Sequence, residues 1–260
     1  MNEKSRDKIQ ETIEASGNNF HSNVIRFLRD KEWDVLISPY YNDNVSDKAR
    51  EIDIIAEKVF EVKDSYWGKH KGWFNIRFII ECKYINAETV FWFDAKDKKR
   101  AEEMVVRETP LEKNNIYTQK HHYIQDERVA KLFSSEKSKD LSNEPIYKAI
   151  NQSLNAMVYF RHETPLQQQG RKILETVCYP IIVLNDFGKI YSVNIGESSY
   201  SNIADKFFQL EINYAYLDTN KQNMNEYFLI DVVDFSHLDD FLTEIQTKDV
   251  EAFKVMMGYG

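Results

Sequence analysis

The sequence predicts an α/β fold in which helices flank a mixed central β-sheet. Three observations predict it. Residues 50–63 and 72–85 are two long, apolar, β-prone segments. Helical spacing brackets them, with Phe20, Val24, Phe27 and Leu28 before and Ile146, Ile150, Leu154, Met157 and Val158 after. An apolar run from Cys178 to Asn185 then follows the second helix, as a buried strand does.

The elements read in order as follows. Residues 5–16 have a helical pattern, and a stronger helix follows Gly17. Trp33 to Tyr41 reads as a strand and Asn42 to Lys48 as a polar turn. The 50–63 and 72–85 strands are joined by the turn-like Asp64-Ser-Tyr-Trp-Gly-Lys-His-Lys71. Asp94 to Arg107 and Asp126 to Phe133 read as helices within a polar, lysine-rich region. Glu144-Pro145 opens the next helix, and Lys189 to Ile195 is expected to pair with 178–185 across Asp-Phe-Gly. Residues 202–216 read as a helix and Tyr227 to Val233 as a strand. Ser236 is placed to cap the last helix, with Asp239 at the capping-box spacing. The expected organisation is one domain over 1–260, with a helical insertion at 86–145 and a C-terminal α/β extension at 200–260.

Bulk properties narrow the classes. With 260 residues, 42% of them hydrophobic, the chain can bury one large core. Only 8 Gly and 5 Pro argue against a long linker. The charged N-terminus lacks the apolar core of a signal peptide, and no stretch approaches the ~20 apolar residues of a membrane span. A soluble, cytoplasmic protein with no membrane partner is expected. Cys82 and Cys178 are the only cysteines, so neither a disulfide framework nor a zinc pair is expected. A net charge of −8 counts against nonspecific coating of nucleic acid, but not against a DNA enzyme with a local basic groove.

The chemistry concentrates in Arg50-Glu-Ile-Asp-Ile-Ile55 and Ile79-Ile-Glu-Cys-Lys83. Ionised groups rarely sit in such apolar segments unless paired or bound to metal. Asp53 lies 15 residues before Gly68 and Glu81 lies 13 after it. A hairpin closing near Trp67–Gly68 would set them nearly opposite. Glu81 and Lys83 are two apart and share one strand face. Two converging carboxylates can hold a hard divalent cation, and a nearby lysine can orient water. The alternative is a salt bridge between Lys83 and the two acids.

The chain carries four Asp/Glu-x-Lys matches. Asp94-Ala-Lys96 and Asp97-Lys-Lys99 fall in a charged stretch read as a solvated helix. Glu61-Val-Lys63 continues the strand of Asp53. Only Glu81-Cys-Lys83 follows an apolar run and can return to Asp53.

Asp53 followed by Glu81-Cys82-Lys83, in a helix–strand–strand–strand–helix–strand order, resembles the PD-(D/E)xK nuclease superfamily, the restriction-endonuclease-like fold. Ile52 stands where that family usually has Pro. The resemblance covers residues 17–85 and 146–195. It implies an Mg²⁺-dependent endonuclease (Mn²⁺ substituting) acting on DNA. Asp53, Glu81 and the Cys82 main-chain carbonyl would bind metal. Lys83 would orient water electrostatically, because neighbouring carboxylates favour its charged form. It also implies a supporting residue on the first helix, where His21 stands, with Glu14 the other candidate. On the later helix it implies a polar residue near the site, here Gln152. Restriction or phage defence is the expected role, with a homodimer as a candidate assembly. A repair nuclease or an inactive nucleic-acid-binding or protein-interaction module are the alternatives.

Basic clusters at Lys69-His70-Lys71, Lys98–Arg100, Lys120–His122, Arg161 and Arg171-Lys172 are candidates for tracking a phosphate backbone. Trp67, Trp73 and Trp92 are candidates for base stacking, with core packing the commoner role. His121 and His122 are adjacent, so their side chains are expected to diverge too far to share a metal.

Overall fold

The computed structural model describes Ile9, Ile13 and residues 17–43, 48–136, 144–166, 170–218 and 221–259. It contains a ten-stranded mixed sheet with helices on both faces. In chain order its strands are β1 (Asp34–Ile37), β4 (Ile54–Lys63), β5 (His70–Lys83), β6 (Thr89–Ala95), β7 (Arg128–Ser135), β8 (Ile173–Leu184), β9 (Ile190–Asn194), β10 (Tyr200–Asn202), β11 (Phe207–Leu217) and β12 (Asn223–Asp234). Their spatial order is β1-β4-β5-β8-β12-β11-β7-β6-β9-β10. A separate pair, β2 (Tyr40–Asn42) and β3 (Ala49–Glu51), lies beside it.

Helix α1 (Gly17–Asp30) buries Phe20, Val24 and Leu28, the stripe that its four-residue spacing dictates. It lies on the same face as α2 (Lys98–Glu108), α6 (Leu238–Ile245) and α7 (Glu251–Tyr259), around Ile54, Ala56, Phe78 and Ile80. The opposite face carries α5 (Pro145–Phe160) over Ile55, Ile79 and Ile182. Two short helices, α3 (Ile116–Gln119) and α4 (His122–Gln125), link α2 to β7. Glu144 caps α5 by accepting the Tyr147 N–H at 2.5 Å, and Pro145 fills the first turn. No helix among the described residues is long and apolar enough to cross a membrane.

The β4–β5 hairpin carries Glu81 and Lys83 near its end, with Asp53 just before its start. Asp64 Oδ1 accepts the N–H groups of Tyr66 and Trp67 at 2.9 and 2.7 Å, and Gly68 takes φ +64°. That turn pairs Lys63 with His70, and a bulge at Lys71 shifts the ladder by one residue, so that Ile54 lies opposite Ile80 and Glu57 opposite Arg77. Arg77 and Glu57 are fully buried and paired at 2.5 Å. Arg77 also donates to the carbonyls of Phe160, Glu163 and Thr164, while Glu57 accepts the Leu166 N–H at 2.6 Å. One buried ion pair thus clamps the C-terminal end of α5 onto the sheet.

Several sequence expectations are corrected. Asp126–Phe133 and 202–216 are not helical; they form β7, and β10 with β11. In β11, Leu210, Ile212, Tyr214 and Tyr216 alternate with Gln209, Glu211, Asn213 and Ala215, which is a strand period. Asp94 and Ala95 end β6, so the helix starts only at Lys98, after Asp97 caps it. Residues 86–145 therefore supply strands β6 and β7 as well as helices. Trp33–Tyr41 is split into β1 and β2, with Ser38 at φ +50° between them. β9 does not pair with β8, because β5 and β12 already occupy both edges of β8; it runs parallel to β6 instead. Ser236 is not the cap of α6: Asp234 Oδ1 accepts both its N–H and its hydroxyl, and His237 precedes the helix. Residues 44–47, and most of 5–16, lie outside the described residues.

Candidate active site

The site forms where β4 begins and β5 ends. Asp53 sits in the bend between β3 and β4. The β4–β5 ladder ends at the pair of Ile54 with Ile80, and Asp53 and Glu81 are the next residues along each chain. Glu81 and Lys83 share the β5 face that carries α5, where Lys83 meets Gln152, and the Asp53 side chain reaches the β5 backbone beside them. Asp53 Oδ2 accepts the Cys82 N–H at 2.8 Å, a bond that stands where the β4 backbone has turned away. In an extended strand a residue's N–H and C=O point to the same edge, so the Cys82 carbonyl faces the Asp53 side too.

Lys83 Nζ contacts Glu81 Oε2 at 2.5 Å and Gln152 Oε1 at 3.4 Å. Gln152 Nε2 reaches the Glu51 carbonyl at 3.4 Å, so its amide bridges α5 to the β3 strand. His21 approaches from the opposite face. Its Nε2–H donates to the Asp53 carbonyl at 3.0 Å, which also accepts the Ser38 N–H at 2.9 Å. His21 thus holds the Asp53 backbone and does not reach the carboxylates through any recorded bond. Glu14 lies outside the described residues.

Glu81 is 0% exposed, and its Oε1 has no hydrogen-bond partner. Burial pushes its carboxyl up to about 8; the Lys83 charge opposes this and the Asp53 charge adds to it. A buried carboxylate oxygen without a partner is costly, and native structures keep few of them. The donor set of carboxylate oxygens and a main-chain carbonyl is hard, so it suits Mg²⁺ or Mn²⁺ and not a soft metal. The residues present fit such an ion. Burial holds the Cys82 thiol well above its usual range, which keeps it protonated and out of the chemistry.

Beside the trio lies a cleft of about 630 Å³, bounded by α5, the β2–β3 pair and β11. Gln152 is shared between the cleft wall and the Lys83 contact. No protein family, curated protein or solved structure matches the chain. The functional reading therefore rests on the site itself.

The cluster at His121, His122 and Asp249 was not anticipated. Both side chains reach one carboxylate, contrary to the divergence expected of adjacent residues. The reason is that His121 is an extended cap residue at φ −59°, ψ 138°, and not part of a helix or strand. The rings stack at 4.8 Å. Among the described residues this is the one group of three His, Cys, Asp or Glu ligand atoms close enough to suggest a metal. Its hydrogen bonds argue otherwise. The Tyr123 N–H donates to His121 Nδ1 at 3.2 Å, so the neutral ring carries its proton on Nε2 and points it at Asp249 Oδ2, 3.3 Å away. His122 meets Asp249 through Nδ1 at 2.5 Å and Asp231 through Nε2 at 3.3 Å. Burial disfavours its charge, but the two acids outweigh burial and raise it to about 10. Both of its nitrogens are then donors, and no ring lone pair is left for a cation. No sequence signal marks this cluster, because Asp249 stands among Gln246, Thr247, Lys248 and Glu251 and reads as solvated helix surface.

Other candidates lie away from the site. Lys69, His70 and Lys71 sit at the far tip of the hairpin, about 30 Å from Asp53 at 3.3 Å per strand residue. Arg161 pairs with Glu226 and Glu108, and Arg171 lies over the Trp73 ring. Lys96 is not on a solvated helix face; it is buried, donating to the carbonyls of Tyr123 and Gln209. Trp67 is 80% exposed at the tip, so it does not pack in the core.

Proposed function

We propose that this chain is a metal-dependent endonuclease that hydrolyses phosphodiester bonds in DNA, with a restriction-endonuclease-like core formed by α1, β1, β4, β5, α5 and β8. The single observation that carries the reading is the unpartnered, buried Glu81 Oε1, with Lys83 on the other carboxylate oxygen and Asp53 bonded to the next residue, Cys82. The parallel pairing of β5 with β8 through α5 supports the same core.

Asp53, Glu81 Oε1 and the Cys82 carbonyl would hold Mg²⁺, with Mn²⁺ able to replace it. The cation would neutralise charge on the phosphoryl oxygens and favour ionisation of the attacking water. Lys83 is held by Glu81 and Gln152 so that its remaining N–H groups can orient that water in line with the scissile bond. Water oxygen bonds to phosphorus as the leaving P–O bond breaks. One product ends in a phosphate monoester and the other in a hydroxyl that takes up the proton. His21 fixes the Asp53 backbone and Gln152 positions Lys83. A role in restriction or phage defence rests on the motif resemblance.

A second reading is an inactive module that kept the fold, with Lys83 and Glu81 bonded to each other in place of water and metal. Titration calorimetry separates the two. Mg²⁺ binding that is lost in Asp53→Asn supports the nuclease, and no binding by the parent protein supports the inactive module.

A further inference from the structure

The cleft beside the trio carries chemistry that phosphodiester hydrolysis alone does not require. One face of α5 presents Tyr147, Asn151 and Asn155 to it, spaced four residues apart. Tyr41 and Tyr214 complete its walls. Tyr214 Oη donates to Asn155 Oδ1 at 2.9 Å, which occupies that carbonyl and leaves the Asn155 amide N–H groups without a recorded partner among the described residues. Asn151 is turned back on its own helix, donating to the Tyr147 carbonyl at 2.8 Å. The one acid in the lining, Asp43, is paired with Arg50 at 2.6 Å. Lys148 stands exposed on the lining, in no recorded ion pair among the described residues.

These groups suit one ligand class. The exposed Tyr147 ring offers a stacking surface, the Asn155 amide offers donors to a base edge, and Lys148 at the rim offers a counter-charge for phosphate. At about 630 Å³ the cleft has room to seat one nucleotide. Its wall residue Gln152 touches Lys83, so a ligand seated there adjoins the trio.

We infer that this cleft binds the base of one unpaired nucleotide, so that the substrate is single-stranded or locally unpaired DNA with a neighbouring phosphate at Asp53, Glu81 and Lys83. The placement of the phosphate rests on the nuclease reading above; the base site does not.

Fluorescence anisotropy with a short labelled single strand, and with its blunt duplex, tests the base site in EDTA. The parent protein should bind the single strand at least tenfold more tightly than the duplex. Tyr147→Ala and Asn155→Ala should each weaken single-strand binding about tenfold, the size of a lost stacking or base-edge contact. Tyr147 is on the surface, so its variant should unfold at the parent's temperature. Lys148→Ala, also on the surface, should weaken binding in a salt-dependent way. Equal affinity for single strand and duplex, or unchanged binding in all three variants, would overturn the inference. Cleavage in Mg²⁺ is scored separately. Cleavage with variant-insensitive binding defeats the base site and leaves the nuclease. Variant-sensitive binding without cleavage by the parent protein does the reverse.

Discussion

The Asp53 carboxylate accepts the N–H of Cys82 at 2.8 Å, which ties Asp53 to β5 one residue past Glu81. The strand register there is set by the turn at Asp64 and Gly68, about 30 Å away, together with a bulge beside it that leaves Lys71 as the extra residue between His70 and Gly72. A slip of one residue would turn Glu81 and Lys83 to the opposite face.

Replacing Glu81 by Gln separates stability from metal binding. The carboxyl is buried with one oxygen unpartnered, so its charge is not needed for folding. Glu81→Gln should unfold at or above the parent's temperature in EDTA. It should also lose at least tenfold in Mg²⁺ affinity by calorimetry.

The same group gives a pH signature. Glu81 holds its proton up to about pH 8 in the folded chain, against an ordinary value of 4.5. Between those values the folded state binds more protons than the unfolded one, so stability falls as pH rises. The contribution is fully present below about 4.5 and gone above about 8. Denaturant unfolding of the parent in EDTA should therefore weaken from pH 5 to pH 8 more than that of Glu81→Gln. An identical pH dependence would show that Glu81 does not titrate in this window.

How much of this was legible in the sequence differs by element. Asp53, Glu81 and Lys83 could be placed together because apolar runs flank them and Gly68 marks the turn between. The α5 helix was legible from its Glu144-Pro145 start and its apolar stripe. The β7 and β11 strands were not, because short runs with charges fit either period and sheet partners decided between them. β9 was misassigned because a local Asp-Phe-Gly turn suggests a hairpin, while occupancy of both β8 edges is a long-range fact. The Arg77–Glu57 clamp was also hidden: neither residue stands out until the register sets them opposite.

Removing half of that clamp should be costly. Arg77→Met leaves the Glu57 charge buried without its counter-charge and frees three carbonyls, one at the end of α5 and two just after it. A loss of about 3–5 kcal/mol in denaturant unfolding is expected, the range for breaking one side of a buried pair.

The His122 cluster should behave as a hydrogen-bonded ion cluster and not as a metal centre. Asp249→Asn leaves the imidazolium with half its compensation and should cost about 3–5 kcal/mol. Zn²⁺ and chelators should leave the unfolding temperature of the parent unchanged. A rise with Zn²⁺ that vanishes in Asp249→Asn would contradict the proton assignment.

The hairpin tip should be dispensable for cleavage. Trp67→Ala and Lys69→Ala lie at the far end of the hairpin from Asp53 and should keep DNA cleavage within about twofold of the parent.

The most direct test is cleavage of supercoiled plasmid by purified protein, in Mg²⁺ and in EDTA, for the parent, Asp53→Ala and Lys83→Ala. Nicking or linearisation is expected only for the parent and only in Mg²⁺. Full activity in both variants, or none in the parent with either Mg²⁺ or Mn²⁺, would contradict the assignment of Asp53, Glu81 and Lys83 as a nuclease centre.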